Sequence, residues 1–291
     1  MKDYYAIACA MVRDELDLRE WAAYHLTLGF EHLFVYDNES RVPVAVTLGD
    51  FVASGQITVF TVRGRFKQCN VVYPDVVERC RGRVRWVAFM DADEFLLPHH
   101  VDDIRLYLSG MERFSGVGVN WQIFGDNDHV DRPAGLLIEN YTRRGAVDYA
   151  ENEHVKSIVN PAEVLWPVNP HAFHLRDSRR MVDGDGRPYP PHFKHRHAFR
   201  NPPAVSQIQI NHYYTRSLED FRRKQDRGGG DSVTRRADEV FQKIHELCNE
   251  ERDERIFRFR DATRLKMREL MGARELPNRL DEEGLQSVAF D

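Results

Sequence analysis

The stretch RWVAFMDADEFLLP, from Arg85 to Pro98, decides the fold class of this chain. Its first half, up to Met90, is short, apolar and aromatic, which is typical of a strand buried on both faces of a helix-covered parallel sheet. Asp91, Asp93 and Glu94 follow directly. Ligands of open α/β sheets bind at the carboxyl ends of strands, where carboxylates can hold a divalent cation against phosphates. The alternative is that Asp91 caps the next turn and the other two are merely solvated.

The residues before this stretch alternate between strand and helix patterns. The predicted strands are Tyr4–Met11, His32–Tyr36, Ile57–Val62 and Arg83–Met90, and the predicted helices are Glu15–Leu28, Pro43–Ala53 and Gln68–Cys80, the last interrupted by Pro74. Such alternation indicates right-handed βαβ units and an α/β fold, with a mostly parallel sheet flanked by helices.

The second half of the chain follows an α+β pattern. We predict a helix at 102–109, strands at 116–123, 154–160 and 207–214, a long loop at 176–204, helices at 217–227 and 231–271, and a tail beyond 275. Asp37 and Asp91 therefore both lie at carboxyl ends of strands.

Bulk composition excludes several classes of protein. The chain has 291 residues, 42% of them hydrophobic and 30% charged, with a net charge of −5, which argues against nucleic-acid binding. Four scattered cysteines lack the paired spacing of a zinc site. The apolar stretch from Tyr4 to Val12 is about half of what a bilayer span needs, so we interpret it as the first strand of a cytoplasmic protein. Peripheral membrane attachment is compatible with this interpretation.

Five segments together carry a resemblance to a known group of enzymes. They occur in this order between Tyr5 and Gly228: AIACAMVRDELDLREWAAYHLTLGFEHLFVYDNES, WVAFMDADEFL, VNWQIFG, VKSIV and INHYYTRSLEDFRRKQDRG. The chain resembles nucleotide-sugar-dependent glycosyltransferases of the GT-A type, in their family 2-like and family 92-like branch. The resemblance implies a Rossmann-like single domain over 1–275, with a nucleotide-binding half (1–100), an acceptor and metal half (101–230) and C-terminal helices (231–275), followed by a tail.

Nucleotide contacts are expected where the first strands end. Arg13 and Glu15 follow the first strand and Asp37 follows the second, so all three can line a crevice for the base and ribose. Asp37 is as well suited to forming a turn. Gln68 and Asn70 open the helix before the fourth strand and either face the nucleotide or cap that helix.

The resemblance implies that Asp91 and Asp93 bind Mn or Mg bridging the donor diphosphate, with Asp91 also contacting the nucleotide. His212 is then a further metal ligand, although a lone strand histidine is often a packed core residue. Lys224 and Arg227 are three residues apart on a predicted helix, so they share a face and can reach the phosphates, while the glycines that follow let the loop close. A solvated basic face is the simpler alternative.

Acceptor contacts are expected after the fifth strand, at Trp121, Phe124 and Gly125, although Trp121 is equally suited to the core. An inverting transfer needs a carboxylate that takes the proton of the acceptor hydroxyl. The candidates are Asp126, Asp128, Glu151 and Glu153, and we predict Asp126, although the GDND run departs from the serine-like residues that similar proteins carry here.

The sequence thus predicts a metal-dependent glycosyltransferase that uses a nucleoside-diphosphate sugar, most simply a UDP-sugar, and a hydroxyl acceptor on a surface glycan or glycolipid. A nucleotidyltransferase or phosphohydrolase is one alternative, but the acidic VRDELD segment after the first strand lacks the glycines that nucleotidyl transfer favours. The other alternative is a non-catalytic sugar-nucleotide-binding protein.

Overall fold

One mixed sheet organises the molecule, as seen in a computed structural model that describes residues 2–64, 67–189, 198–228 and 237–271. Within these ranges the strands are β1 (Tyr4–Val12), β2 (His32–Asp37), β3 (Ile57–Thr61), β4 (Val84–Phe89), β5 (Glu94–Pro98), β6 (Gly116–Ile123), β7 (Arg143–Arg144), β8 (Val155–Val159), β9 (Val164–Asn169), β10 (Ala172–Leu175), β11 (Met181–Asp183), β12 (Ile208–His212) and β13 (Glu251–Arg252).

Helices cover the sheet on both faces. They are α1 (Leu18–Thr27), α2 (Val44–Thr47), α3 (Gly49–Ala53), a short π-helix (Gln68–Val72) that leads into α4 (Tyr73–Cys80), α5 (Ile104–Ser109), α6 (Leu137–Asn140), α7 (Leu218–Arg227), α8 (Asp238–Leu247) and α9 (Arg260–Met271). In the described part of the chain, no helix combines the length and the apolar character that a bilayer span requires.

The main sheet has the strand order β3-β2-β1-β4-β8-β6-β12-β5, with β11 paired to β6. The first four strands run parallel, as predicted, and β6 and β12 run in the same direction because the antiparallel β8 separates β4 from β6. All these strands therefore end at one edge of the sheet. That carboxyl edge carries the sequence positions Arg13, Asp37, Asp91, Phe124 and His212.

Both faces of the sheet are buried. Along β1, Ala6 and Ala8 pack into one apolar cluster with α1, whereas Ile7 and Cys9 pack into a second cluster with α4. Alternate residues of a strand point to opposite faces, so a strand buried on both sides reads as continuously apolar. This is the physical reason that the first strands were predictable.

Three features differ from the sequence prediction. Glu94 is fully buried and begins strand β5, which pairs antiparallel with β12, so it is not the solvated side chain of the alternative interpretation. The predicted loop at 176–204 contains β11, and a β9–β10 hairpin precedes it. The predicted helix at 231–271 is interrupted by β13 and a 3-10 turn (Arg255–Phe259), because the buried Asp253 accepts hydrogen bonds from Arg144, Gln209 and Arg255. Positions 231–236, 272–275 and the predicted tail lie outside the described residues.

Candidate active site at the carboxyl edge

The Asp91 carboxylate lies between a lysine and an amide at the end of β4. Its Oδ2 accepts a hydrogen bond from Lys156 Nζ at 2.8 Å and its Oδ1 accepts one from Gln68 Nε2 at 3.0 Å. Lys156 comes from the neighbouring strand β8 and its side chain is almost fully buried. Burial acts to raise the pKa of Asp91, but Lys156 holds this pKa below its usual range. Asp91 is therefore an ionised, partly exposed carboxylate.

Glu94 is the buried neighbour of Asp91 and Lys156. Its Oε2 accepts the backbone N–H of Asp91 at 2.9 Å, and its Oε1 lies 3.7 Å from Lys156 Nζ. The side chain is fully buried, and burial raises the pKa of Glu94 well above its usual range against the opposing effect of Lys156. Glu94 thus fixes the backbone turn that presents Asp91.

Asp93 lies between a lysine and a histidine brought by the second half of the chain. Lys224 Nζ donates to Asp93 Oδ2 at 2.6 Å, and His212 Nε2 lies 3.6 Å from Asp93 Oδ1. Burial acts to raise the pKa of Asp93, but Lys224 and His212 hold it well below its usual range. The predicted neighbours Asp93, His212 and Lys224 are therefore brought together, with Lys224 bonded to the carboxylate.

The imidazole of His212 packs in an aromatic layer. Its ring centroid lies 4.4 Å from that of Trp121, which also packs against His154 and His171. Burial lowers the pKa of His212 even though Asp93 acts to raise it, so the imidazole is held neutral, the form that binds metals. Trp121 is partly buried and belongs to this layer as well as to the candidate acceptor side.

Residues predicted to contact the nucleotide are engaged within the protein. Asp37 accepts the backbone N–H groups of Ser40 and Val44 at 2.9 Å, so the turn-forming alternative describes its carboxylate. Gln68 is buried and binds Asp91, whereas Asn70 is exposed. The ribose or base contact of Asp37 stays a prediction.

An ionic network joins the loop after β1 to both ends of α7. Arg216 Nη1 donates to Glu15 Oε1 at 2.5 Å and lies 2.8 Å from Asp17 Oδ2, while Arg227 donates to the backbone carbonyl of Arg13. Arg216 is 2% exposed. Glu15, Arg13 and Arg227 are thus close together through contacts with each other, and the nucleotide contacts of all three stay predictions.

The predicted acceptor residues are packed more tightly than expected. Phe124 is fully buried against Tyr213, with ring centroids 5.0 Å apart, so its ring has no surface to offer an acceptor. A Cβ on Gly125 would lie 2.2 Å from Asn249 Oδ1 and 2.4 Å from the carbonyl of Cys248. Gly125 is therefore required for the close approach of the end of α8.

Asp126 is hydrogen-bonded to two residues of α8 and its end. His245 Nδ1 lies 3.0 Å from each Asp126 oxygen, and Asn249 Nδ2 donates to Oδ1 at 2.6 Å. In the described part of the chain, Asp126, Asp128 and His245 form the group of three His or carboxylate side chains whose ligand atoms lie within 4.8 Å of one another. Asp128 also pairs with Arg143. Asp91, Asp93 and His212 do not converge in this way.

Sequence reasoning missed Lys156, Arg216 and His245. Lys156 had a usable signal, since a lysine inside the apolar strand VKSIV must find a buried anion. Arg216 and His245 had none, because their partners lie 201 and 119 positions away.

Comparison with known sequences identifies the protein family of this chain. Residues 10–250 match the profile of glycosyltransferase family 92. The chain belongs to glycosyltransferase family 92. Its mixed sheet flanked by helices is the α/β fold class that the sequence predicted.

Family 92 proteins from two plants are among the similar sequences. One from Ricinus communis is 29% identical over 191 residues, which are 63% of this chain and 34% of that protein. One from Oryza sativa subsp. japonica is 29% identical over 202 residues, or 67% of this chain and 34% of that protein. The chain thus spans about a third of the length of these relatives.

Solved structures show a more distant likeness. S. aureus TarS (residues 1–349), in complex with UDP-GlcNAc, has 11% identity and a TM-score of 0.35 over 54% of this chain and 46% of that chain. Rv0371c from Mycobacterium tuberculosis H37Rv has 11% identity and a TM-score of 0.28 over 42% of this chain and 68% of that chain.

Removing the buried lysine tests the charge arrangement around Asp91. We expect Lys156→Met to lower the free energy of unfolding by about 3 kcal/mol or more, because it leaves the ionised Asp91 carboxylate without its buried cation. Lys243→Met removes a half-exposed lysine 3.8 Å from Glu151 and should cost about 1 kcal/mol at most. Urea unfolding followed by circular dichroism measures both, and equal costs would contradict the burial argument.

The packing of Gly125 is tested by adding one methyl group. We expect Gly125→Ala to lower the free energy of unfolding by about 1–3 kcal/mol, because the new Cβ overlaps Asn249 and Cys248. Gly49→Ala, where a Cβ meets nothing within 4 Å, serves as the control and should change stability by about 1 kcal/mol at most. Thermal unfolding of both variants measures these changes. Unchanged stability in Gly125→Ala would contradict the close approach of Asn249 and Cys248 to Gly125.

Proposed function

We propose that this protein is a metal-dependent glycosyltransferase that moves a sugar from a nucleoside-diphosphate sugar to a hydroxyl acceptor. One observation carries the proposal: in a family 92 chain, the Asp93 carboxylate sits at the carboxyl edge of the sheet between Lys224 and the neutral imidazole of His212. An anionic oxygen, an ammonium and an imidazole there provide complementary contacts for a diphosphate and its cation.

Asp93 and His212 fit a divalent cation. Asp93 Oδ1 and His212 Nε2 are 3.6 Å apart, a separation that two ligands about 2.1 Å from one ion can span. Asp91 is already engaged by Lys156 and Gln68, so a cation would bind chiefly through the other two residues. When bound, the cation neutralises the negative charge of the departing diphosphate.

The chain's own cations supply the rest of the electrostatics. Lys224 and Arg216 place positive charge beside Asp93. An incoming diphosphate can therefore pair with these two cations alongside the Asp93 carboxylate. Lys156 holds Asp91 ionised at the edge of β4. These groups bind and orient the donor without themselves reacting.

We further propose a UDP-sugar as donor, Mn or Mg as the cation, and a surface glycan or glycolipid precursor as acceptor, with the protein acting in the cytoplasm or at a membrane surface. These finer points rest on the resemblance of the five segments.

Calorimetric titration of UDP in the presence of Mn tests this proposal. We expect Asp93→Asn and His212→Ala each to weaken UDP binding at least about tenfold, the equivalent of 1.4 kcal/mol, because each removes a cation ligand. EDTA should weaken binding in the native protein as well. Asp102→Asn, which changes an exposed carboxylate, should have no effect.

The alternatives give distinct results in the same titrations. GDP binding without UDP binding would show that the donor nucleotide carries guanine instead of the proposed uracil. UDP binding that is indifferent to both EDTA and Asp93→Asn would contradict the proposed cation site. Failure of the native protein to bind either nucleotide would contradict the proposed function.

A further inference from the structure

A second polar site lies at the same edge, where His245 on α8 meets Asp126 after β6. The His245 Nδ1 atom lies 3.0 Å from both oxygens of Asp126. A carboxylate can only accept hydrogen bonds, so Nδ1 carries the hydrogen in this contact. The lone pair of a neutral imidazole then resides on Nε2, on the opposite side of the ring. Asp126 thereby fixes the tautomer and the direction of His245.

Exposure separates the roles of the two side chains. The side chain of Asp126 is only 4% exposed and is also held by Asn249, so a hydroxyl of an acceptor cannot approach its carboxylate freely. The side chain of His245 is 40% exposed. Of the pair, the imidazole is therefore the group that can meet a substrate.

The pair is connected to the candidate donor site through short backbone steps. The N–H of Phe124, two residues before Asp126, donates to the carbonyl of His212 at 3.0 Å. Tyr213, which follows His212 in the chain, donates its N–H to the carbonyl of Asp93 at 2.9 Å.

Packing supports the same placement. Ile244, adjacent to His245, packs in one cluster with Trp121, which covers His212. The pair therefore borders the acceptor side of the donor site.

Resting on the proposed transferase function, we infer that His245 is the general base and that Asp126 is its positioning residue. The acceptor oxygen forms a bond to the anomeric carbon as the bond from that carbon to the diphosphate oxygen breaks. The electron pair leaves with the nucleoside diphosphate, and the hydroxyl proton passes to His245 Nε2 and then to solvent. Attack opposite to the leaving group inverts the anomeric configuration.

Release of nucleoside diphosphate with water as the acceptor tests this role without knowledge of the natural acceptor. The probes are UDP-galactose, UDP-glucose, UDP-N-acetylglucosamine and GDP-mannose, each with Mn. Asparagine retains a side-chain donor near the position of Nδ1 but lacks Nε2. We expect His245→Asn to lower the turnover rate about 100-fold or more while donor affinity stays within about twofold.

Three further variants make the test specific. Imidazole added to His245→Ala should restore turnover in a saturable manner. Asp126→Asn should also lower the turnover rate, because its amide can donate to Nδ1 and so favours the other tautomer. His100→Asn, at an exposed histidine that contacts the carbonyl of Ser206, should leave turnover unchanged.

Each contrary result has its own meaning. Full turnover in His245→Asn, or loss of turnover in Asp126→Asn alone, would overturn the role of His245. Loss in His245→Asn that is accompanied by loss of Mn binding and is not rescued by imidazole would overturn it in favour of a cation held by Asp126, Asp128 and His245. No release by the native protein from any probe, together with no nucleotide binding, would contradict the transferase proposal itself.

Discussion

The need to neutralise carboxylates at the ends of buried strands governs this structure. Asp91 and Asp93 lie next to the apolar strand β4, where ionised groups are costly unless paired. Each is paired with a lysine from the second half of the chain: Lys156 on β8 and Lys224 on α7. The two halves are therefore joined electrostatically at the place where the donor is proposed to bind.

These pairings also determine which groups remain available for ligands. Lys156 and Gln68 occupy the two oxygens of Asp91, whereas Asp93 keeps one oxygen facing the neutral imidazole of His212. The chain thus presents one carboxylate oxygen and one imidazole nitrogen to a cation, next to the ammonium of Lys224. The segments that contain β4, β8 and α7 are three of the five that carry the family resemblance.

The sequence predicts the strands and helices whose burial leaves a pattern within their own residues. Strands β1 and β4 are recognisable as continuous apolar runs because both of their faces are buried. Helices α1 and α7 are recognisable from the helical spacing of their apolar residues, because one stripe of each is buried. Strand β5 and the break after α8 left no such signature. Strand β5 depends on β12, and the break depends on the bonds of Asp253 to Arg144 and Gln209, all distant in sequence. At the site, the juxtaposition of Asp93, His212 and Lys224 was anticipated, whereas the closed positions of Phe124 and Asp126 followed only from packing by β12 and α8.

The most direct test of the account is electron spin echo spectroscopy of Mn²⁺ bound together with UDP, which detects coordinated histidine nitrogen. We expect a nitrogen coupling that disappears in His212→Ala and persists in His245→Ala. A spectrum without histidine nitrogen, or a coupling removed by His245→Ala instead, would contradict the placement of the donor cation between Asp93 and His212.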